Sequence, residues 1–262
     1  MNALSPIVGM NPAELTNMAR AEREHWWYRG MRSILHRVLS PHLADRRIRE
    51  VLEAGCGTGF TAAWLHRRYG WNLFPVDLES TALRFVRNFA LPNATQADIG
   101  GLPFQDASFD LVFCLDVLVH LPRQDETKAL REFFRVLRRG GLLVLRVAAF
   151  DILRSRHSEF VGEKQRFTRG QLLRTVAQSG FRVRHCTYAN SLLLPVAITK
   201  FRLWEPWLRQ PPASGVAPVP AWLNRLLYAA LASEAKWLGC GRSLPLGQSL
   251  ILVGEKLPGP TG

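Results

Sequence analysis

The stretch VLEAGCGTGFT, residues 51–61, constrains this chain more than any other part of it. Val51 and Leu52 follow Ile48 in an apolar alternation that reads as a β-strand, and Gly55, Gly57 and Gly59 then remove every second Cβ just where a helix should begin. A ligand can lie against bare backbone at such a turn. Unpaired N–H groups and the positive end of the following helix face the crevice at the carboxyl edge of a parallel sheet. The local pattern therefore asks for an α/β fold with a nucleotide site at its first strand end.

The glycines alone leave the nucleotide open, because Gly57, Gly59 and Ala62 also satisfy the dinucleotide pattern G-x-G-x-x-A. Glu53 discriminates. An acidic side chain two residues before the first glycine repels a pyrophosphate and attracts a ligand with cationic groups, and S-adenosylmethionine carries both an ammonium and a sulfonium. VLEAGCGTG resembles motif I of the class I S-adenosylmethionine-dependent methyltransferases. LPFQDASFD and FDLVFCLDVLVHL further along are similar to the type 11 pattern of that family. The resemblance spans roughly residues 51–180.

That resemblance implies a doubly wound, Rossmann-like sheet of seven mostly parallel strands with the last one antiparallel. It implies S-adenosylmethionine as cofactor, whose methyl is already activated, so no metal is required, and the seven dispersed histidines make no ligand-spaced pair. Its cofactor contacts fall on Glu53, Ala54, Gly55, Cys56, Gly57 and Gly59. Asp77 with Leu78 would serve ribose and adenine, Asp98 with Ile99 the adenine amine and ring, and Leu115 the end of the fourth strand. Asp77 also has a plainer reading as a helix cap, although Ser80 can cap equally well.

Before this core, Pro12 and Glu14 open a helical region expected over 12–39, closed by Ser40-Pro41, with a tail over 1–10. Its centre, EREHWWYRGMRSIL, sets Trp26, Trp27 and Tyr28 side by side, and consecutive helical residues cannot all face one core stripe. Either the tryptophans pack on the sheet edge or the helix is a lid with Trp26 and Trp27 toward substrate. In the resembling family an arginine on such a lid reaches the methionine carboxylate, so Arg29 and Arg32 are candidates.

Downstream, a helix is expected over 125–138, ended by Gly140-Gly141, then a strand over 142–147, a polar loop over 150–167, and a helix capped by Thr168. His120 and His157 are the candidate catalytic bases or orienting groups, and Arg166 a substrate contact. His120 also reads as a packing residue. Strands over 181–187 and 249–255 are separated by residues 188–248, far more than a turn needs. The expected division is thus 1–45 for tail and lid, 46–187 with 249–257 for the core, and 188–248 for a helical insertion. Its tryptophans, with Leu223, Leu226, Leu227, Ala230, Leu231 and Leu238, make it a substrate cap, a dimer surface or a membrane patch.

The chain of 262 residues carries 34 Lys and Arg against 21 Asp and Glu, a net charge of +13. The arginines are scattered rather than clustered, which argues against nucleic acid and leaves an anionic membrane surface or a phosphate-bearing substrate open. Arg202, Arg209, Arg225, Lys236 and Arg242 lie among the insertion's apolar residues. LDVL after the fourth strand, in place of an Asn/Asp-Pro-Pro-Tyr/Phe loop, favours a small-molecule or lipid-like acceptor over amino groups of nucleic-acid bases or glutamine. Cys56, Cys114, Cys186 and Cys240 form no close pair and read as reduced, buried thiols of a cytoplasmic protein. No secretory leader or bilayer-length apolar run is expected, so the protein is soluble or peripheral to the inner face of a membrane. The rival readings are an NAD(P)-dependent oxidoreductase and a cofactor-binding protein without turnover.

Overall fold

The computed structural model describes residues 10–208 and 211–257. The expected tail, apart from Met10, and Arg209 of the insertion lie outside the described residues. Strands β1 (Glu50–Ala54), β2 (Asn72–Asp77), β3 (Thr95–Gln96), β4 (Phe109–Leu115), β5 (Leu137–Ala148), β6 (Phe181–Ala189) and β7 (Ser249–Lys256) form one seven-stranded sheet in the order β3-β2-β1-β4-β5-β7-β6. Only β7 runs antiparallel to its neighbours, β5 and β6. The order reverses between β1 and β4, so the loops leaving their carboxyl ends diverge and open a crevice there. That crevice holds the site.

Both faces of the sheet are buried, which is why its central strands read as continuous apolar runs. Leu52, Ala54, Val112 and Cys114 join a core under helices α5 (Asp125–Val136) and α7 (Arg169–Gln178). Val51, Leu111 and Phe113 face the other way, toward α2 (Trp26–Leu43), α3 (Phe60–Tyr69) and α10 (Ala221–Gly239). Glu53 shares the parity of Val51 and so points into this second layer. The remaining helices are α1 (Pro12–Ala21), α4 (Ser80–Val86), α6 (Arg156–Phe160), α8 (Leu194–Thr199) and α9 (Glu205–Leu208).

The N-terminal region is two helices, where the sequence reads as one. α1 stops at Ala21, and a new start is fixed by Asn224 of α10, which accepts from Trp26 N at 2.8 Å and donates to Glu24 O at 2.9 Å. α2 then runs past Pro41 to Leu43; a proline in the last turn removes only one backbone bond. Gly140-Gly141 does not end a helix either. α5 stops at Val136, β5 begins at once, and the register jumps from Phe109↔Leu137 to Leu111↔Leu142, so residues 138–141 form a bulge with Gly140 at φ 75°. The polar stretch 150–167 contains α6, which has a Ser155/Ser158 capping box. Thr168 caps α7 with Gln171, as the sequence expects.

The insertion is anchored at both ends. β6 extends through Ala189, and the buried carboxylate of Glu234 on α10 accepts from the N–H groups of Asn190 at 2.5 Å and Ser191 at 2.8 Å. α10 crosses α2 so closely that a Cβ on Gly30 would lie 2.3 Å from Leu231 Cδ1. Leu231, Ala235 and Leu238 are buried there, whereas Trp222 and Leu226 are exposed. Cys56, Cys114 and Cys186 are buried and Cys240 is exposed, since its position just past the end of α10 turns it to solvent.

Candidate active site

The site begins at the end of β1. Gly55, Gly57 and Gly59 all adopt positive φ, and a Cβ on Gly55 would stand 2.2 Å from Val117 Cγ2, so the loop after β4 presses directly on bare backbone. The N–H groups of Gly55 and Cys56 donate to Val76 O at 2.8 and 2.9 Å. Gly57 N donates to Asp77 Oδ2 at 2.8 Å, while Asp77 Oδ1 accepts from Glu79 N at 3.0 Å. Asp77 therefore fastens the glycine turn to the start of α4, in addition to any ligand it holds.

A single cavity of about 700 Å³ extends from this turn. Gly55, Cys56, Gly57, Asp77 and Leu78 line it, and so do Asp98, Ile99 and Leu115 from neighbouring strand ends. Gly59 and Ala54 do not. Ala54 is fully buried in the opposite core layer, and Gly59 caps α3 against Val86. Asp98 Oδ1 accepts from Gly100 N at 2.8 Å, which holds its carboxylate at the edge of the cavity.

Burial dominates the electrostatics. Glu53 lines the cavity, its Oε2 is buried without a partner, and desolvation pushes its carboxyl up to about 8. Glu22, turned inward where α1 ends, is raised to about 7 for the same reason, although it accepts from Thr58 Oγ1 at 2.5 Å. Arg32 donates to Glu22 O at 2.7 Å and lies 4.7 Å over the Phe60 ring; burial lowers its guanidinium to about 10. Arg29 is directed elsewhere, 4.2 Å over Tyr228 of α10. Of these two α2 arginines, Arg32 alone lines the cavity.

Trp26, Trp27 and Tyr28 all reach the cavity. They occupy the first turn of α2, where side chains fan out around the helix end rather than lying along one stripe. Opposite them stands a residue that the sequence reading missed. Arg146 of β5 bonds Asp116 Oδ2 through Nε at 2.9 Å and Nη2 at 2.7 Å, and its guanidinium lies 5.1 Å from the Trp27 ring. Its sequence signal is a lone arginine inside the apolar strand LLVLRVA. Asp116 itself sits at φ 59°.

The histidines differ in what their rings can do. His120 follows Asp116, is buried so that its imidazolium is disfavoured, shares a hydrogen bond with the Gly162 backbone, and leaves Nδ1 unpartnered. His157 on α6 accepts at Nδ1 from Gly215 N at 2.9 Å, and burial lowers its affinity for a proton. A neutral ring that accepts at Nδ1 carries its proton on Nε2, so His157 can donate there but not act as a base. Arg166 is engaged on all sides: it bonds Glu163 Oε1 at 2.6 Å, Ser158 Oγ at 2.8 Å and Ala149 O at 3.3 Å. It braces the wall that carries His157.

The roof comes from the insertion. Phe201, Trp204 and Leu208 line the cavity, and Glu205 Oε2 accepts from Arg156 N at 2.9 Å. The segment 213–217 closes the remaining side, with Gly215 on His157 and the Ala217 backbone bonded to the His25 ring.

Residues 52–145 match the family described as methyltransferase domain. A probable S-adenosylmethionine-dependent methyltransferase of Mycobacterium tuberculosis is 38% identical over 124 residues, covering 47% of this chain and 42% of that protein. The 2-methyl-6-phytyl-1,4-hydroquinone methyltransferase of Synechocystis is 30% identical over 99 residues, covering 36% of this chain and 30% of its own length. This chain thus spans less than half the length of these relatives. Among solved structures, a chain of the complex between the Haloferax volcanii Trm112 methyltransferase activator and a methyltransferase covers 96% of both chains at TM-score 0.62 and 17% identity, which is a likeness of fold. The sheet order, the glycine turn with Glu53 and Asp77, and these matches agree: residues 52–145 are similar to the methyltransferase domain family, and the whole chain has the fold of solved methyltransferases.

Proposed function

We propose that this protein transfers the methyl group of S-adenosylmethionine to a small-molecule or lipid-like acceptor by in-line displacement. One observation carries the reading: a buried, unpartnered carboxyl oxygen of Glu53 stands beside a turn of bare backbone in a cavity that Trp26, Trp27, Phe201, Trp204 and Leu208 also line. A protonated Glu53 does not by itself repel an anion. What it discriminates is the cation that makes its ionisation favourable, and the ammonium of the methionine moiety is such a cation.

The residues present fit the cofactor. Gly55, Cys56 and Gly57 give it backbone to lie on, Arg32 supplies a charge for its carboxylate, and Asp77 retains free lone pairs for ribose hydroxyls. Leu78, Ile99 and Asp98 are disposed for the adenine. The bound sulfonium supplies an already activated methyl group, so the protein's task is to position the acceptor and exclude water.

We read residues 188–248 as the cap that does so. Phe201, Trp204 and Leu208, with Trp26 and Trp27 across from them, support an apolar acceptor, and the relative that methylates a phytyl hydroquinone accords with that class. Titration calorimetry tests the cofactor: S-adenosylhomocysteine should bind and NAD should not. Tighter binding of NAD would overturn the assignment. Because the fold neighbours include a chain described as a [4+2]-cyclase, transfer itself must be read, as loss of labelled methyl from S-adenosylmethionine to acceptor.

A further inference from the structure

Residues 194–208 form one continuous helical rod, in which the π-helical Lys200–Trp204 joins α8 to α9. Of its side chains only Ala197 is buried. Lys200, Phe201, Trp204, Glu205 and Leu208 line the cavity. The opposite side faces solvent, with Val196, Leu203 and Trp207 exposed at 61%, 68% and 75%. A short helix of this kind is marginal in water unless an apolar face is covered, and here neither side packs on the core.

The exposed charge on the rod has one sign. Arg202 is exposed away from the cavity; Lys200, also exposed, lines the cavity edge with Nζ 4.0 Å from Glu205 Oε1, and Glu205 is turned inward onto Arg156 N at 2.9 Å. A face that interleaves Trp and Leu with Arg suits the boundary of an anionic lipid layer, where the rings sit at headgroup level and the cation meets phosphate. Pairing of two copies through this face would instead set Arg202 against its equivalent on a protein of net charge +13. Among the described residues no helix is long and apolar enough to cross a membrane, so the rod would lie on the surface rather than span it. Trp222 and Leu226, one turn apart on α10 beside exposed Arg225, repeat the same composition.

We propose that the outer face of residues 194–208 docks this protein on an anionic phospholipid surface, with Val196, Leu203 and Trp207 in the interface and Arg202 on the headgroups. The rod's inner side roofs the cavity, so docking sets the acceptor site against the lipid; that this delivers a lipid-like acceptor rests on the methyl-transfer reading.

Sedimentation with vesicles tests the docking. The full chain should pellet with phosphatidylcholine vesicles containing phosphatidylglycerol, stay in solution with phosphatidylcholine alone, and be released by high salt. The double variant Leu203→Asp, Trp207→Asp, neither of which lines the cavity, should lose vesicle partition by roughly ten-fold or more while keeping its thermal midpoint and its S-adenosylhomocysteine affinity. Absence of binding to anionic vesicles overturns the proposal, as does equal binding by the variant. So does concentration-dependent self-association of the wild type that the variant abolishes, which would make the face a contact between copies. S-adenosylhomocysteine affinity, measured on the same samples, reports separately on the cofactor assignment.

Discussion

Gly57 N and Asp77 Oδ2 are joined by a 2.8 Å hydrogen bond that ties the glycine turn after β1 to the end of β2. The residue expected to hold ribose is thus also the residue that shapes the turn. Asp77→Ala should weaken S-adenosylhomocysteine binding by roughly 1–3 kcal/mol, the range for losing a charge-assisted acceptor, and should also lower the thermal midpoint of the ligand-free protein. Calorimetry and thermal unfolding separate the two effects. A lowered midpoint with unchanged affinity would leave Asp77 as a fastener of the turn alone.

Glu53 makes ligand binding a proton-linked event. Its folded-state carboxyl titrates near 8 against an ordinary 4.5, so between those values the folded chain retains a proton that the unfolded chain has lost. The stability contribution of this group is therefore greatest below 4.5 and falls as pH rises toward 8, by up to roughly 4 kcal/mol. Glu22, raised to about 7, adds a slope of the same sign. The thermal midpoint of the ligand-free protein should drop between pH 5 and 8, and Glu53→Gln should flatten that drop. Binding of S-adenosylmethionine at pH 7 should release a proton, seen as a buffer-dependent calorimetric enthalpy that Glu53→Gln abolishes. A buffer-independent enthalpy in the wild type would refute the linkage.

The elements that carry the cofactor end were legible because their signals are local. Glycine spacing, a carboxylate at a strand end and a buried apolar strand each reside in a few consecutive residues, and β1, β4 and the Thr168 cap of α7 lie where those signals put them. The rest depends on partners distant in sequence. The break after Ala21 is made by Asn224, some two hundred residues away, and nothing in EREHWWYR announces it. Glu22 becomes a site residue only because that break turns it inward against Thr58. Gly140-Gly141 has the composition of a helix stop, yet β4 demands a partner strand that starts at Leu137, and the glycines are absorbed as a bulge.

The crossing of α2 and α10 rests on Gly30. An added Cβ would meet Leu231 Cδ1 at 2.3 Å and Leu231 Cβ at 2.6 Å, so even alanine forces the helices apart. Gly30→Ala should destabilise the fold by about 1–3 kcal/mol, the usual cost of overpacking, despite the higher helix propensity of alanine. Because α10 also carries Asn224, which accepts from Trp26 N at the start of α2, the variant should loosen Trp26 as well. Chemical denaturation measures the first effect. Leu231→Ala in the same chain should restore part of the loss, since it vacates the volume that the new methyl needs; no restoration would place the strain elsewhere.

If the acceptor must lose a proton as it is methylated, the two histidines are not equivalent candidates to take it. His157 accepts from Gly215 N at Nδ1, which leaves its proton on Nε2 and suits it to orient or donate. His120 is the converse case. Its ring bonds the Gly162 backbone, its Nδ1 is buried with no hydrogen-bond partner, and burial disfavours the imidazolium, which leaves a neutral ring with an unshared lone pair on a residue that lines the cavity. His120→Ala should lower kcat about 10²–10⁴-fold, the usual worth of a general base, with S-adenosylhomocysteine affinity unchanged. In the wild type, kcat should fall on the acid side with an apparent pKa below the ordinary histidine value, and the variant should lack that limb. His157→Ala should cost less and leave the limb in place. Two-bond proton–nitrogen spectra of the folded protein give a check that needs no acceptor: His120 should be protonated at Nε2 and bare at Nδ1. A His120→Ala protein that keeps both its kcat and its acid limb would assign the proton to another acceptor or to water.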